Sequence, residues 1–130
     1  MALSTIKNDL AKRLANITSY NVYDLSYESG ITKQGTSDYY NKITKIGNVC
    51  HAWMRFKIGS SKVTGWTTFA TIPEGARPTF TKQKSALLAT NNTDGGYLRA
   101  YFQIHSNGTI KASGDMTANK EYEAELIYLI

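Results

Sequence analysis

The sequence predicts an all-β protein, an antiparallel β-sandwich of jelly-roll type with a short N-terminal α-helix. Three observations predict it. Nine tyrosines, ten glycines and many threonines, with only two prolines, lean the composition towards strands and turns. Val49 to Ile58 alternates strictly, with Cys50, Ala52, Met54, Phe56 and Ile58 on one face and Val49, His51, Trp53, Arg55 and Lys57 on the other, the period of a half-buried strand. Several such short runs follow one another with turn signals between them, which argues for a sandwich rather than βαβ units. At 130 residues the chain fits one sandwich domain.

The division expected is a helix over 1–18 and a β-sandwich domain over 19–130. Leu3, Ile6, Leu10, Leu14 and Ile17 recur at helical spacing, with Ser4 or Thr5 as the cap. The stripe is narrow, so the helix either packs on its own domain or bundles with copies of itself. Tyr20 to Ser29 has strand character, and Gly30 to Asp38 reads as a polar loop or short hairpin. Tyr39 to Ile46 and Val49 to Ile58 are joined by the two-residue turn Gly47-Asn48. A strand over Val63 to Ile72 leads to a rigid corner. There Pro73 and Pro78 fix φ, and Gly75 supplies a left-handed residue. Ala86 to Thr90 is a short apolar run, and Asn91 to Gly96 a turn-rich tip. In Tyr97 to His105, Leu98, Ala100, Phe102 and Ile104 share one face, and Tyr97, Arg99, Tyr101 and Gln103 the other. Ser106-Asn107-Gly108 is the strongest hairpin signal, returning as Thr109 to Ser113. The last strand, Tyr122 to Ile130, ends so apolar that the core or a neighbouring subunit must cover it.

Catalytic and metal chemistry is hard to place. His51 and His105 are the only histidines, with no Cys or carboxylate at ligand spacing, so no metal site is expected. Cys50 is the only cysteine and lies on the core face, where it packs as a small apolar group. There is no nucleophile elbow, no HExxH and no phosphate-cradling loop. Glu121, Glu123 and Glu125 share a strand face about 7 Å apart, a separation compatible with paired-carboxylate chemistry, although a solvated edge explains them more simply. No membrane-spanning run and no signal peptide are found, which predicts a product made in the cytosol without membrane insertion.

Binding chemistry is better supplied. Two outward faces, one with His51, Trp53 and Arg55 and the other with Tyr97, Arg99, Tyr101 and Gln103, place aromatic planes beside polar arms. Such a plane suits a sugar ring, whose C–H face stacks while hydroxyls or phosphates take hydrogen bonds. The competing explanation is that Trp53 and Tyr101 bury against the helix or a second subunit. The net charge of +5 is concentrated in Lys33, Lys42, Lys45, Arg55, Lys57 and Lys62, with Asp38 the only acid among them. That suggests an anionic partner, or merely a soluble surface.

The ordered set Gly47-Asn48-Val49, the alternating strand, Gly65-Trp66-Thr67-Thr68, then Ile72-Pro73-Glu74-Gly75-Ala76-Arg77-Pro78 and the late Asn107-Gly108 hairpin resembles the C-terminal head domains of bacteriophage tail fibres and receptor-binding proteins. Those domains read GNVV, a strand, GW, a variable linker, LPEGFRP and a strand ending in NG. The resemblance spans Tyr39 to Ile130. It implies a homotrimer fed by an N-terminal stalk, located in the virion tail and contacting other tail or baseplate proteins. It also implies attachment to a cell-wall saccharide or an anionic, teichoic-acid-like polymer, with neither catalysis nor a cofactor. Within GWTT, the resemblance implies that Trp66 packs at a sheet bend. The alternatives are a glycan depolymerase tip using Glu121, Glu123 and Glu125, and a purely structural tail or baseplate module. Nucleic-acid binding is not expected and would show a steep salt dependence.

Overall fold

The computed structural model describes residues 2–18, 20–61, 63–90 and 97–130, and they form one helix and an antiparallel β-architecture. Helix α1 (Leu3–Thr18) precedes β1 (Asn21–Asp24), β2 (Ser26–Tyr27), β3 (Ile31–Lys33), β4 (Lys42–Ile46) and β5 (Val49–Ile58). Then come β6 (Thr67–Thr71), a 3₁₀ turn over Glu74–Ala76, β7 (Lys82–Thr90), β8 (Tyr97–Ile104), β9 (Thr109–Ser113) and β10 (Glu121–Leu129). Hydrogen bonding runs β1-β4-β5-β10-β7-β8-β9-β6-β2, folded into two facing sheets. One contains β1, β4, β5 and β10, with β3 continuing the β4 edge of β5; the other contains β7, β8, β9, β6 and β2. Among the described residues, strand pairing joins them where Tyr122 and Glu123 meet Thr90 and Ala89, and the sandwich is open beyond that point.

The alternation of β5 is realised in full. Cys50, Ala52, Met54 and Phe56 are wholly buried, and Ile58 nearly so. Phe102, Ile104, Phe69 and Ile110 face them from the second sheet, and Phe56 meets Phe69 edge-on at 4.7 Å between ring centroids. Burial pushes the Cys50 thiol up from its ordinary value, as expected of an inert core cysteine. In β10, Leu126 and Tyr128 enter the core, while Ile127 and Leu129 stay 60% and 56% exposed. The apolar end of the chain is thus half covered. Ile46 and Val49 lie beside them, also exposed, because Val49 pairs with both Ile46 and Leu129. Helix α1 begins at Leu3, ahead of Ser4, with Ala2 accepting from the amides of Thr5 and Ile6. It meets the sandwich at β4 and leaves Leu3, Ile6 and Leu10 exposed.

Other expectations are corrected. The region from Tyr20 splits into β1 and β2 at Leu25, whose side chain turns into the core. Residues 31–33 pair with the far half of β5 rather than forming a local hairpin. Tyr39 and Tyr40 belong to a turn, not to β4. Val63 makes an isolated bridge to Met116 and the next strand starts only at Thr67. The apolar run at 86–90 is the end of a nine-residue strand. The tip at 91–96 lies outside the described residues.

The proline corner is rigid, though not through a left-handed glycine. Gly75 sits in the 3₁₀ turn with no positive φ. What it needs is space, because a Cβ there would meet the Tyr23 phenol at 2.5 Å. The corner is tied down by Tyr128, whose hydroxyl donates to the Ala76 carbonyl at 2.7 Å, and by Arg77 Nε, which donates to the Ile72 carbonyl. Trp66 is 47% exposed rather than packed at the bend. Positive φ is required at Gly108 (+90°), in the expected hairpin, where a Cβ would also lie 2.6 Å from the Ile72 carbonyl oxygen. Gly108→Ala should therefore cost about 2–3 kcal/mol in urea unfolding, whereas Gly47→Ala, at φ +57° in open space, should cost only about 1 kcal/mol. Equal losses would refute the role given to the clash.

Candidate functional site

The outward face of β5 is where chemistry collects. Trp53 has Tyr39 at 4.8 Å between centroids with the planes 31° apart, and Tyr40 edge-on at 5.1 Å. His51 is 6.2 Å away on the same face, and Arg55 lies with Cζ 5.3 Å from the Tyr40 ring centre. Tyr39 is 54% exposed. These rings converge because the turn before β4 folds back over β5, and one residue holds it there. Asn41, at φ +60° and buried, fills the gap on the β5 edge between β4 and β3. Its Oδ1 accepts from the Tyr27 hydroxyl at 2.6 Å and from the Arg55 amide at 2.9 Å, and its Nδ2 donates to the Gln34 carbonyl at 2.8 Å. Its own amide donates to the Trp53 carbonyl at 2.6 Å. Burial pushes the Tyr27 phenol up, so its proton stays available to Asn41.

The register of β10 against β5 supplies carboxylates. Glu125 pairs with Trp53 and Glu123 with Arg55, placing both on this face. Trp53 Nε1 donates to Glu123 Oε1 at 2.7 Å, and His51 Nε2 lies 3.4 Å from Glu125 Oε1. The Tyr40 phenol is pushed up by lost hydration and then by the Glu123 charge. Beside this cluster, where β10 and β7 part, a cleft of about 450 Å³ opens between Trp53, Ala86, Glu123, Ala124 and Glu125. Its size falls in the range of small-ligand sites.

His51, Trp53 and Arg55 are thus brought together. Arg99, Tyr101 and Gln103 are not part of this site, since they point outward from β8 on the other sheet, where Tyr101 stands between Ser85 and Ser113 with no ring partner among the described residues. The side chain of Tyr97 lies outside the described residues. Tyr39 was missed because the sequence shows it as the start of a strand. Glu123 and Glu125 were visible only as a face of their own, since nothing local reveals that β10 lies against β5.

The basic run is also reinterpreted. Lys42 pairs with Asp24, whose carboxyl it holds below the ordinary range, and Lys45 donates to the Gly75 carbonyl. Arg55 and Lys57 stand opposite Glu123 and Glu121. The linear excess of charge is therefore interleaved with acids from β10. Lys62 lies outside the described residues. Among the described residues no cluster of His, Cys, Asp or Glu is placed to hold a metal, and no helix is long and apolar enough to cross a membrane.

The described residues thus form an open antiparallel β-sandwich with an aromatic and carboxylate cleft on the outer face of one sheet. In fold, the chain is similar to the receptor-binding protein (gp15) of Listeria phage PSA, with a TM-score of 0.57 and 18% identity over 97% of this chain and 74% of that one. This likeness agrees with the resemblance to phage receptor-binding heads read from the sequence. No family model and no curated protein matches the chain.

Proposed function

We propose that this chain is a phage tail-associated receptor-binding head, a jelly-roll-type homotrimer that attaches to a saccharide-bearing polymer of a bacterial surface without catalysis. The observation that carries this reading is the Trp53 cleft, with Tyr39 and Tyr40 packed on the ring and carboxylates beside it, set on a fold like that of a phage receptor-binding protein. The exposed strip of Ile46, Val49, Ile127 and Leu129, together with exposed Leu3, Ile6 and Leu10 of α1, supplies the apolar surface that a trimer would bury. Three copies of a weak site would give the avidity that attachment needs. In the virion the helix side would face the remaining tail or baseplate proteins.

The test is co-sedimentation with bacterial wall preparations, with light scattering on the same sample. The expected result is retention on walls and a mass three times the 14.5 kDa of one chain. A monomer that binds no wall would overturn the proposal. A depolymerase has one observation in its favour, namely that Glu123 and Glu125 line the same cleft. Their engagement by Trp53 and His51 suits positioning better than a free acid and base. Release of reducing ends from walls, lost on Glu123→Gln, would establish the enzyme instead.

A further inference from the structure

Strand β10 is paired along its whole length on one side only. The amide of Ile130 donates to the Asn48 carbonyl and that of Ile58 to the Lys120 carbonyl, so the even-numbered residues of β10 turn their backbone groups to β5. The odd-numbered ones turn theirs to β7. Of these, Glu123 is met by Ala89, and the pairing with β7 ends there. Among the described residues, no strand pairs with the amides and carbonyls that Glu125, Ile127 and Leu129 present on this side. A row of donors and acceptors at that spacing is matched by another extended chain.

The charge of that chain follows from β7, across the gap. Lys82 and Lys84 stand opposite Ile104 and Phe102, both wholly buried, and so share the inner face of their sheet with Ala86 and Leu88. Both lysines are half-buried, and neither has an ion pair among the described residues. Inward lysines repel an added strand whose inner side chains are apolar. They favour one that brings carboxylates. On the outer face beside the free edge, Ile127 and Leu129 are exposed and offer apolar contact.

We propose that the free edge of β10 from Glu125 to Leu129 is completed by an extended segment of a different polypeptide, with acidic residues at alternate positions facing Lys82 and Lys84 and apolar ones beside Ile127 and Leu129. A second copy of this chain has no such segment to offer. The only acids two residues apart are Glu121, Glu123 and Glu125, and these belong to β10 itself, bound along β5. The inference goes beyond the receptor-binding reading and stands apart from it, whatever the Trp53 face binds.

Hydrogen exchange followed by NMR on the full, isotope-labelled chain is the test. In the free protein the amides of Ile127 and Leu129 should exchange at least about a hundredfold faster than those of Leu126 and Tyr128, which β5 holds. A capped hexapeptide alternating Glu and Val should slow both open amides about tenfold at saturation, and one alternating Lys and Val should not. Methylating alternate backbone nitrogens of the Glu peptide should abolish the effect, because a strand without donors cannot pair. Lys82→Glu combined with Lys84→Glu should exchange the two preferences and leave Leu126 and Tyr128 protected as before.

Slow exchange at Ile127 and Leu129 in the free, dilute protein would mean that the edge is already paired, and would overturn the inference. Protection that grows with protein concentration alone would make a second copy the occupant and overturn it too. The same holds for equal protection by the two peptides, protection that survives methylation, a preference unmoved by the lysine replacements, or no protection by either peptide.

Discussion

Asn41→Ala is expected to destabilise the protein by about 4 kcal/mol, a large share of the 5–15 kcal/mol that holds a typical domain together. The substitution removes both side-chain acceptor interactions and the donor, leaving the Tyr27 hydroxyl, the Arg55 amide and the Gln34 carbonyl without their partner. Each stranded buried group costs about 1 kcal/mol or more. Alanine must also hold φ near +60°, which adds about another 1 kcal/mol. In a chain of this length the sum corresponds to a fall in melting temperature of about 12 °C. Asn41→Asp keeps the acceptor and the tolerance of positive φ but loses the bond to Gln34, so about 2 kcal/mol is expected. A loss below about 1 kcal/mol for the alanine variant in equilibrium unfolding would show that the β5 edge is held by something else.

Trp53→Ala is expected to remove binding to bacterial walls while leaving the fold intact. The ring lies on the outward face of β5, so its loss opens no cavity in the core, which is built from Ala52, Met54 and Phe56. Its removal takes away the wall of the cleft, the platform under Tyr39 and the donor that orients Glu123. An aromatic anchor of this kind contributes about 2 kcal/mol per site, roughly a thirtyfold loss, and a multivalent protein magnifies it. Tyr39→Ala, which leaves Trp53 and the carboxylates standing, should lose less. Unfolding curves of the two variants that overlay the parent within about 0.5 kcal/mol, with wall binding lost in the first, are the expected pair of results. Unchanged wall binding in Trp53→Ala would move the site elsewhere, and Tyr101 would be the next residue to change.

The sequence shows those parts of the fold that are written locally. Val49 to Ile58 could be read in full because every second residue from Cys50 to Ile58 is apolar and the charged residues all fall on the other face. The Asn107-Gly108 hairpin could be read because its φ requirement admits few residues, and α1 because its apolar spacing fits no strand. Strand β7 was visible only at its end, since Lys82, Gln83, Lys84 and Ser85 are polar on both faces along the edge of the open sandwich. Gly75 was assigned a backbone role when its reason is the Tyr23 ring packed on it, a contact 52 residues away in sequence. The site divides in the same manner. His51, Trp53 and Arg55 share one strand and so were found together. Glu123 and Glu125 join them through a pairing some 70 residues distant, and Tyr39 through a turn that Asn41 holds by contacts no local pattern encodes.

The strict alternation of β5 has a consequence for how such a protein can change over generations. Its inward residues answer to the core, while those at 51, 53 and 55 answer to Tyr39, Tyr40, Glu123 and Glu125 on the surface, so a substitution there leaves the core packing untouched. If that face holds the receptor site proposed above, a lineage under pressure from a shifting target can explore new ligands there while the core of the scaffold stays as it is.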